Sequence, residues 1–338
     1  GIRLIQNKDY INHETYITLT KPLDINNDVE LVIFKSIDGY NAENIISQVE
    51  TLNNQMARLQ NYIYYATGID DNIKLSKIAQ DFYLNKGKFS GYSENAELEI
   101  KVVGELGISN IVAGLGSAED PLALFVLGKY NNTNTSEDST SSTRKIIFDF
   151  TLTNRITTES QAGRSTVLFA GNENNIVGLQ AIMGGEGTSL YWLNGKDNYI
   201  RDSKLYMNAN NIAIGSNQGG TFERCQLSCT SISGKANVLV SNGIGILKVI
   251  DCYIVCYNGT NISDESICIL AEGNRSDSVV IVERCNMPLL TKDGYKQSQT
   301  IKISNGYASI VSNILGKEPA LYDTVKCTNI GTMIVNKY

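Results

Sequence analysis

Val249-Ile250-Asp251-Cys252-Tyr253-Ile254 is one of seven copies of a hexameric phrase. The others are Ile147-Phe148-Asp149-Phe150-Thr151-Leu152, Ile176-Val177-Gly178-Leu179-Gln180-Ala181, Ile200-Arg201-Asp202-Ser203-Lys204-Leu205, Phe222-Glu223-Arg224-Cys225-Gln226-Leu227, Val282-Glu283-Arg284-Cys285-Asn286-Met287 and Ile310-Val311-Ser312-Asn313-Ile314-Leu315. Positions one and six are apolar in every copy, and the copies recur every 22 to 33 residues, the period of a solenoid coil. One coil cannot bury its apolar face alone; stacking buries it. A second phrase lies between the first ones, apolar-x-apolar followed by a turn residue: Tyr191-x-Leu193, Ile212-x-Ile214, Val238-x-Val240, Ile301-x-Ile303 and Val325-x-Cys327. The alternation has period two with no 3.6-residue stripe, which excludes a helical solenoid. The fold class expected is mainly β: a right-handed parallel β-helix over residues 97–338 with two strands per coil.

Composition narrows the function classes. The 338 residues include 29 glycines, only 19% are charged and the net charge is -6 without a basic cluster, which argues against a nucleic-acid partner. No apolar run reaches the ~18 residues of a membrane helix, so no membrane insertion is expected. The chain starts at Gly1 with neither an initiator Met nor a signal peptide, which reads as a fragment or a processed product. Three of the seven cysteines, Cys225, Cys252 and Cys285, share the fourth position of the phrase, and Cys229 and Cys256 follow four residues later. Stacked coils set such residues in a row about 4.8 Å apart, without the convergence a tetrahedral metal site needs or the approach a disulfide needs. Buried free thiols are expected, with no metal and no other cofactor.

Ahead of the repeats, residues 1–39 read as a small β module built on Tyr16–Leu23 and Val29–Phe34, with the only histidine, His13. Residues 40–66 then carry a heptad seam, Ile45, Val49, Leu52, Met56, Leu59 and Ile63, which predicts a self-associating neck helix capped by Asn41. Residues 67–96 open on Thr67-Gly68-Ile69-Asp70-Asp71-Asn72 and predict a second helix, Ile73 to Leu84, covering one end of the solenoid with Ile73, Lys77/Ile78 and Phe82. Glu97–Gly104 is the expected first rung. The polar run 131–143 is expected to be an exposed loop that buries almost nothing.

The strand pair Tyr16–Leu23 and Asp28–Phe34 resembles virion-side modules of bacteriophage tail fibres. Thr67-Gly68-Ile69-Asp70-Asp71-Asn72 with its following helix is similar to the Gly-x-Asp-Asp segment that precedes pectate-lyase-like β-helices in tail spikes. The Ile-, Asn- and Tyr-rich composition is similar to that of tail proteins of crAss-like gut phages. The resemblance implies a homotrimer located in the virion, with an N-terminal module docked on other tail proteins and a β-helix that meets host surface polysaccharide. It leaves three functions open: a glycan-binding tail fibre or spike, a polysaccharide depolymerase on the same scaffold, and a structural virion decoration protein.

Glycoside cleavage needs two carboxyls about 5 to 9.5 Å apart, one of them protonated. The candidates are Asp202, Glu223, Asp251, Glu283 and, on a turn of the second strand, Glu272. Alignment of the coils places Asp202, Arg224, Asp251 and Arg284 in one file of alternating sign, a charge ladder along a sheet face. Such pairing lowers a carboxyl pKa, the wrong direction for a general acid. Glu223 and Glu283 fall two rungs apart with Ile250 between. Trp192 and Tyr191 are the candidates for stacking on a sugar ring.

Overall fold

The computed structural model describes residues 10–13, 16–19, 60–108, 123–132, 136–158, 167–185, 188–193, 195–209, 212–216, 218–230, 237–241, 243–257, 267–272, 275–288 and 299–335. The chain divides into two compact units, Gly1–Val49 and Glu50–Tyr338. In the first unit Tyr10–His13 pairs antiparallel with Tyr16–Leu19. The strand expected at Val29–Phe34 lies outside the described residues, as do Ile45, Val49, Leu52, Met56 and Leu59 of the heptad seam.

The second unit is a parallel β solenoid. Each full coil contributes three strands, where the sequence suggests two. Sheet A stacks Gln60–Tyr65, Glu97–Gly104, Lys145–Thr153, Asn175–Val177, Tyr199–Arg201, Gly219–Glu223, Ile246–Ile250, Val279–Glu283, Gly306–Leu315 and Val325–Ile334. Sheet B stacks Ile156–Thr158, Gln180–Gly185, Lys204–Ala209, Gln226–Thr230, Tyr253–Tyr257 and Asn286–Met287, and joins sheet A through the long strand Gly306–Leu315. Sheet C runs from Ala123–Phe125 to Ala320–Leu321 in eight strands.

The extra strand arises inside the hexamer. In the coil of Asp251, Val249-Ile250 ends a sheet A strand, Asp251-Cys252 is a bend, and Tyr253-Ile254 opens a sheet B strand. The bend turns on left-handed backbone at position three: φ is 53° at Asp202, 51° at Arg224, 53° at Asp251, 52° at Arg284 and 58° at Ser312. L-residues favour that region only weakly, so the stacked coils must hold it. Hydrogen bonds do so in both directions. The N–H of Asp251 donates to Glu283 O of the next coil at 3.0 Å, and the N–H of Tyr253 donates to Cys225 O of the previous one at 2.9 Å. Gly178 has φ 69° at the same position, where a Cβ would meet Thr151 Cγ2 at 2.3 Å.

Position four points inward at each bend. Ser203, Cys225, Cys252, Cys285 and Asn313 form a buried row that serves backbone groups of the corner. Ser203 Oγ accepts from Leu179 N–H at 3.0 Å, and Asn313 Oδ1 accepts from Cys285 N–H at 2.8 Å. Cys225, Cys252 and Cys285 place Sγ 3.2–3.3 Å from the carbonyls of Glu223, Ile250 and Glu283. The row is thus a hydrogen-bonding file as well as packing. Contact with Cys225 and Cys285, and then burial, push the Cys252 thiol well above its ordinary range. All seven cysteines are free and only Cys327 is exposed. Thiol titration should find seven reactive groups in denaturant and one in the folded protein; five or fewer in denaturant would mean a disulfide.

Several register expectations shift. Ile176 pairs with Phe148 instead of Ile147, because Lys145–Thr153 is one continuous strand that buries Ile146, Phe148 and Phe150 and leaves Leu152 exposed. In sheet C, Ile212 pairs with Asn237 and not Val238. Asn237–Ser241 is buried at every position, so alternation carries no register there. Val325–Ile334 belongs to sheet A, with Cys327 beside Ala308.

Ile63 is not on a helix. Gln60–Tyr65 pairs with Glu97–Gly104 as the first rung, with Tyr64 buried and Ile63 exposed. Aromatic and β-branched residues in alternation outweigh the last step of the heptad. Helix α1, Asp71–Tyr83, buries Leu75, Ala79 and Phe82; Ile73, expected on that face, is 46% exposed. Its polar side chains bond the backbone that follows the first sheet C strand: Val126 N–H donates to Ser76 Oγ at 2.9 Å, and Gln80 Nε2 donates to the carbonyls of Val126 and Gly128.

Two buried charged groups join these parts. Asp71, fully buried, accepts from Tyr64 OH at 2.5 Å, Thr67 N–H and Oγ1 at 2.9 Å, Gly68 N–H at 2.9 Å and Gly107 N–H at 2.7 Å. The polar run 131–143, expected to bury almost nothing, does bury Ser139, which is bonded to Gln80 and Tyr130, and its Glu137–Asp138 pairs with Asn131–Asn132; Arg144 follows the run directly. Arg144 donates to Phe82 O at 2.7 Å at the end of helix α1, to Ser93 O at 2.9 Å and to Tyr92 O.

Candidate functional site

The bends put position three on an exposed corner between sheets A and B, and not on a sheet face as the alignment suggests. The ladder resolves there into two clamps. Arg224 grips Asp202 through Nε to Oδ1 at 2.7 Å and Nη2 to Oδ2 at 2.9 Å; Arg284 grips Asp251 with the same two distances. Each arginine also reaches the glutamate before it, Glu223 or Glu283. The Arg224 hydrogen bond holds the Asp202 carboxyl below the usual carboxylate range, and the Arg284 hydrogen bond does the same for Asp251.

Asp202 and Asp251 stand two rungs apart with Arg224 between, and Glu223 and Glu283 two rungs apart with Ile250 between. Tyr199 OH donates to Glu223, and burial, then this hydrogen bond, push the Tyr199 hydroxyl up to about 12. Glu272 is apart from this group, bonded to Lys302 at 2.7 Å on the sheet C side. The structure therefore gathers Asp202, Glu223, Asp251 and Glu283 on one corner, and there the arginines lower the Asp202 and Asp251 carboxyls, the wrong direction for a general acid. Replacing Asp251 by Asn should change stability little, since exposed ion pairs contribute little. What it does contribute is present above the unfolded carboxyl pKa and lost as pH falls through the lower folded value, so any difference from wild type should vanish in acid. A large loss at neutral pH in a denaturation experiment would contradict this.

Tyr191 and Trp192 lie on the sheet C strand Thr188–Leu193, where Trp192 is in register with Phe169 and Ser216. They do not join the corner. Sequence reading passes over the outer face of sheet B, which holds a shallow open groove of about 340 Å³ lined by Ile182, Tyr206, Asn208, Gln226, Ser228, Thr230, Tyr253 and Val255 among others. Ile182, Tyr206, Ser228 and Val255 form one file across its floor, and Lys204, Gln226 and Tyr253 form the next. Tyr206 is 43% exposed and Tyr253 42%. Tyr206 OH lies 3.4 Å from Gln226 Oε1. The signal available in the sequence was position five of the phrase, where Lys204, Gln226 and Tyr253 stand. Amides, hydroxyls and two tyrosines on an open face can stack on sugar rings and bond their hydroxyls without fixed charge.

Among the described residues no group of His, Cys, Asp and Glu could hold a metal ion, and no helix is long and apolar enough to cross a membrane. Comparison of the chain with family models, curated proteins and solved structures finds no match.

Proposed function

We propose that this chain is a subunit of a bacteriophage tail spike or tail fibre that binds host surface polysaccharide along the outer face of sheet B. The observation that carries the reading is the open groove whose exposed tyrosines are flanked by amide and hydroxyl side chains on successive rungs. In this reading the solenoid is right-handed, helix α1 is its cap, the heptad residues Ile45, Val49, Leu52, Met56 and Leu59 ahead of the first rung self-associate into a homotrimer, and the N-terminal module meets other virion tail proteins. Binding is favoured over cleavage because Asp202 and Asp251, on the corner from which the groove's strands start, are each held ionised by an arginine. The test is retention of the protein on immobilised host polysaccharide. Tyr206→Ala should weaken retention about tenfold, and no reducing ends should be released. Retention unaffected by Tyr206→Ala and Tyr253→Ala would reject the groove. Release of reducing ends abolished by Asp202→Asn or Asp251→Asn, with the fold intact, would replace the adhesin by a depolymerase.

A further inference from the structure

The corner contains an arginine that the clamps do not use. Arg201 sits in sheet A directly before Asp202 and in register with Glu223. Both oxygens of Asp202 are taken by Arg224, and the oxygens of Glu223 are taken by Tyr199 and Arg224. Arg201 Nε is buried with no hydrogen-bond partner. Its guanidinium lies 5.7 Å from the centroid of the Tyr199 ring, a cation–π contact that orients the fork without spending its donors.

The protein supplies its own control. The second clamp, Asp251 with Arg284 and Glu283, closes at the same 2.7 and 2.9 Å, yet Ile250 occupies the place of Arg201 and Lys248 that of Tyr199. The clamp therefore closes without a cation at this position, so that the through-space attraction between Arg201 and Asp202 is not what closes the first one. A half-buried guanidinium with an unsatisfied donor is costly to keep.

From this we infer that Arg201 is the receptor for a sugar carboxylate, so that the polysaccharide bound by this protein is an acidic one; the inference rests on the glycan-binding reading above. A planar fork of donors matches a carboxylate through two parallel hydrogen bonds. Tyr199, fixed by Glu223, lies against the guanidinium.

The test uses the full chain, with polygalacturonate and alginate as probes, their carboxyl-reduced counterparts as neutral controls and dextran sulfate as a non-carboxylate polyanion. Arg201→Ile copies the second clamp, and should fold with an unchanged unfolding midpoint. It should bind at least one of the uronate polymers about tenfold more weakly than wild type, as expected for loss of a charge-assisted pair. Binding of the reduced polymers should not change. Tyr206→Ala should weaken both kinds. Equal binding of the uronates by wild type and Arg201→Ile overturns the inference while the glycan reading stands on Tyr206→Ala. Binding of dextran sulfate that falls as much as that of the uronates makes Arg201 a general anion site and overturns the carboxylate assignment. Retention of no polymer, acidic or neutral, removes the glycan reading and the inference together.

Discussion

Replacing Asp71 by alanine is expected to cost about 3 kcal/mol or more of unfolding free energy, the largest single effect in the described structure. The carboxylate collects hydrogen bonds from Tyr64, Thr67, Gly68 and Gly107, which come from the first rung, the turn before helix α1 and the segment after the second rung. Removing one acceptor strands several donors at once, and each buried one left unmet costs about 1 to 3 kcal/mol. Asp71→Asn should also be destabilising, because its amide nitrogen would face donors. Burial works against ionisation of Asp71, but the hydrogen bonds from Tyr64, Thr67 and Gly107 outweigh it and hold the carboxyl below its ordinary pKa. A lowered folded pKa means that this stabilisation is complete above the unfolded value of about 3.9 and is lost as pH falls through the folded one. Denaturant titration at neutral pH and again at the acid limit is the check. A midpoint for Asp71→Ala equal to wild type at neutral pH would show that the knot is not structural.

The second large effect is expected at Arg144. Its guanidinium, 3% exposed, is the partner of three main-chain carbonyls, those of Phe82, Tyr92 and Ser93, and it lies 5.5 Å from the Phe82 ring centroid. Arg144→Met keeps the volume and removes every donor, leaving buried carbonyls at a helix C-terminus without partners, for a loss of about 3 kcal/mol. Arg144→Lys should recover only part of this, because an ammonium cannot reproduce the planar fork that spans three acceptors. Unfolding curves for the two variants measure it. Full recovery by lysine would mean that charge alone matters there.

Neither residue stands out in the sequence, and the reason is the same for both. Asp71 falls in a stretch that the resemblance to tail spikes singles out, but of the residues that converge on it Gly107 is 36 positions away, and Tyr64, only seven away, belongs to a strand that takes its place when the first rungs stack. Arg144 follows directly on the polar run 131–143, whose composition predicts exposure, and its burial became possible because carbonyls of a different segment were there to receive it.

What the sequence determined by itself is the periodic part. From the second copy on, positions one and six of the phrase are apolar because each faces the interior of its coil, and coils of 22 to 33 residues can bury such faces only by stacking. The file of Asp202, Arg224, Asp251 and Arg284 is legible for the same reason: equivalent positions of a solenoid become neighbours. The tertiary structure decided what a one-dimensional pattern does not contain. A left-handed residue at position three breaks one apparent strand into two, which moved the charges from a sheet face to a corner and made three sheets from two phrases. Residues with ordinary side chains hold that conformation because the next coil's carbonyl waits for their N–H, an arrangement that exists only once the coils are stacked. The same bend turned Lys204, Gln226 and Tyr253 outward into one file beside Tyr206, so that the groove on sheet B, unlike the core beneath it, is a product of the fold alone.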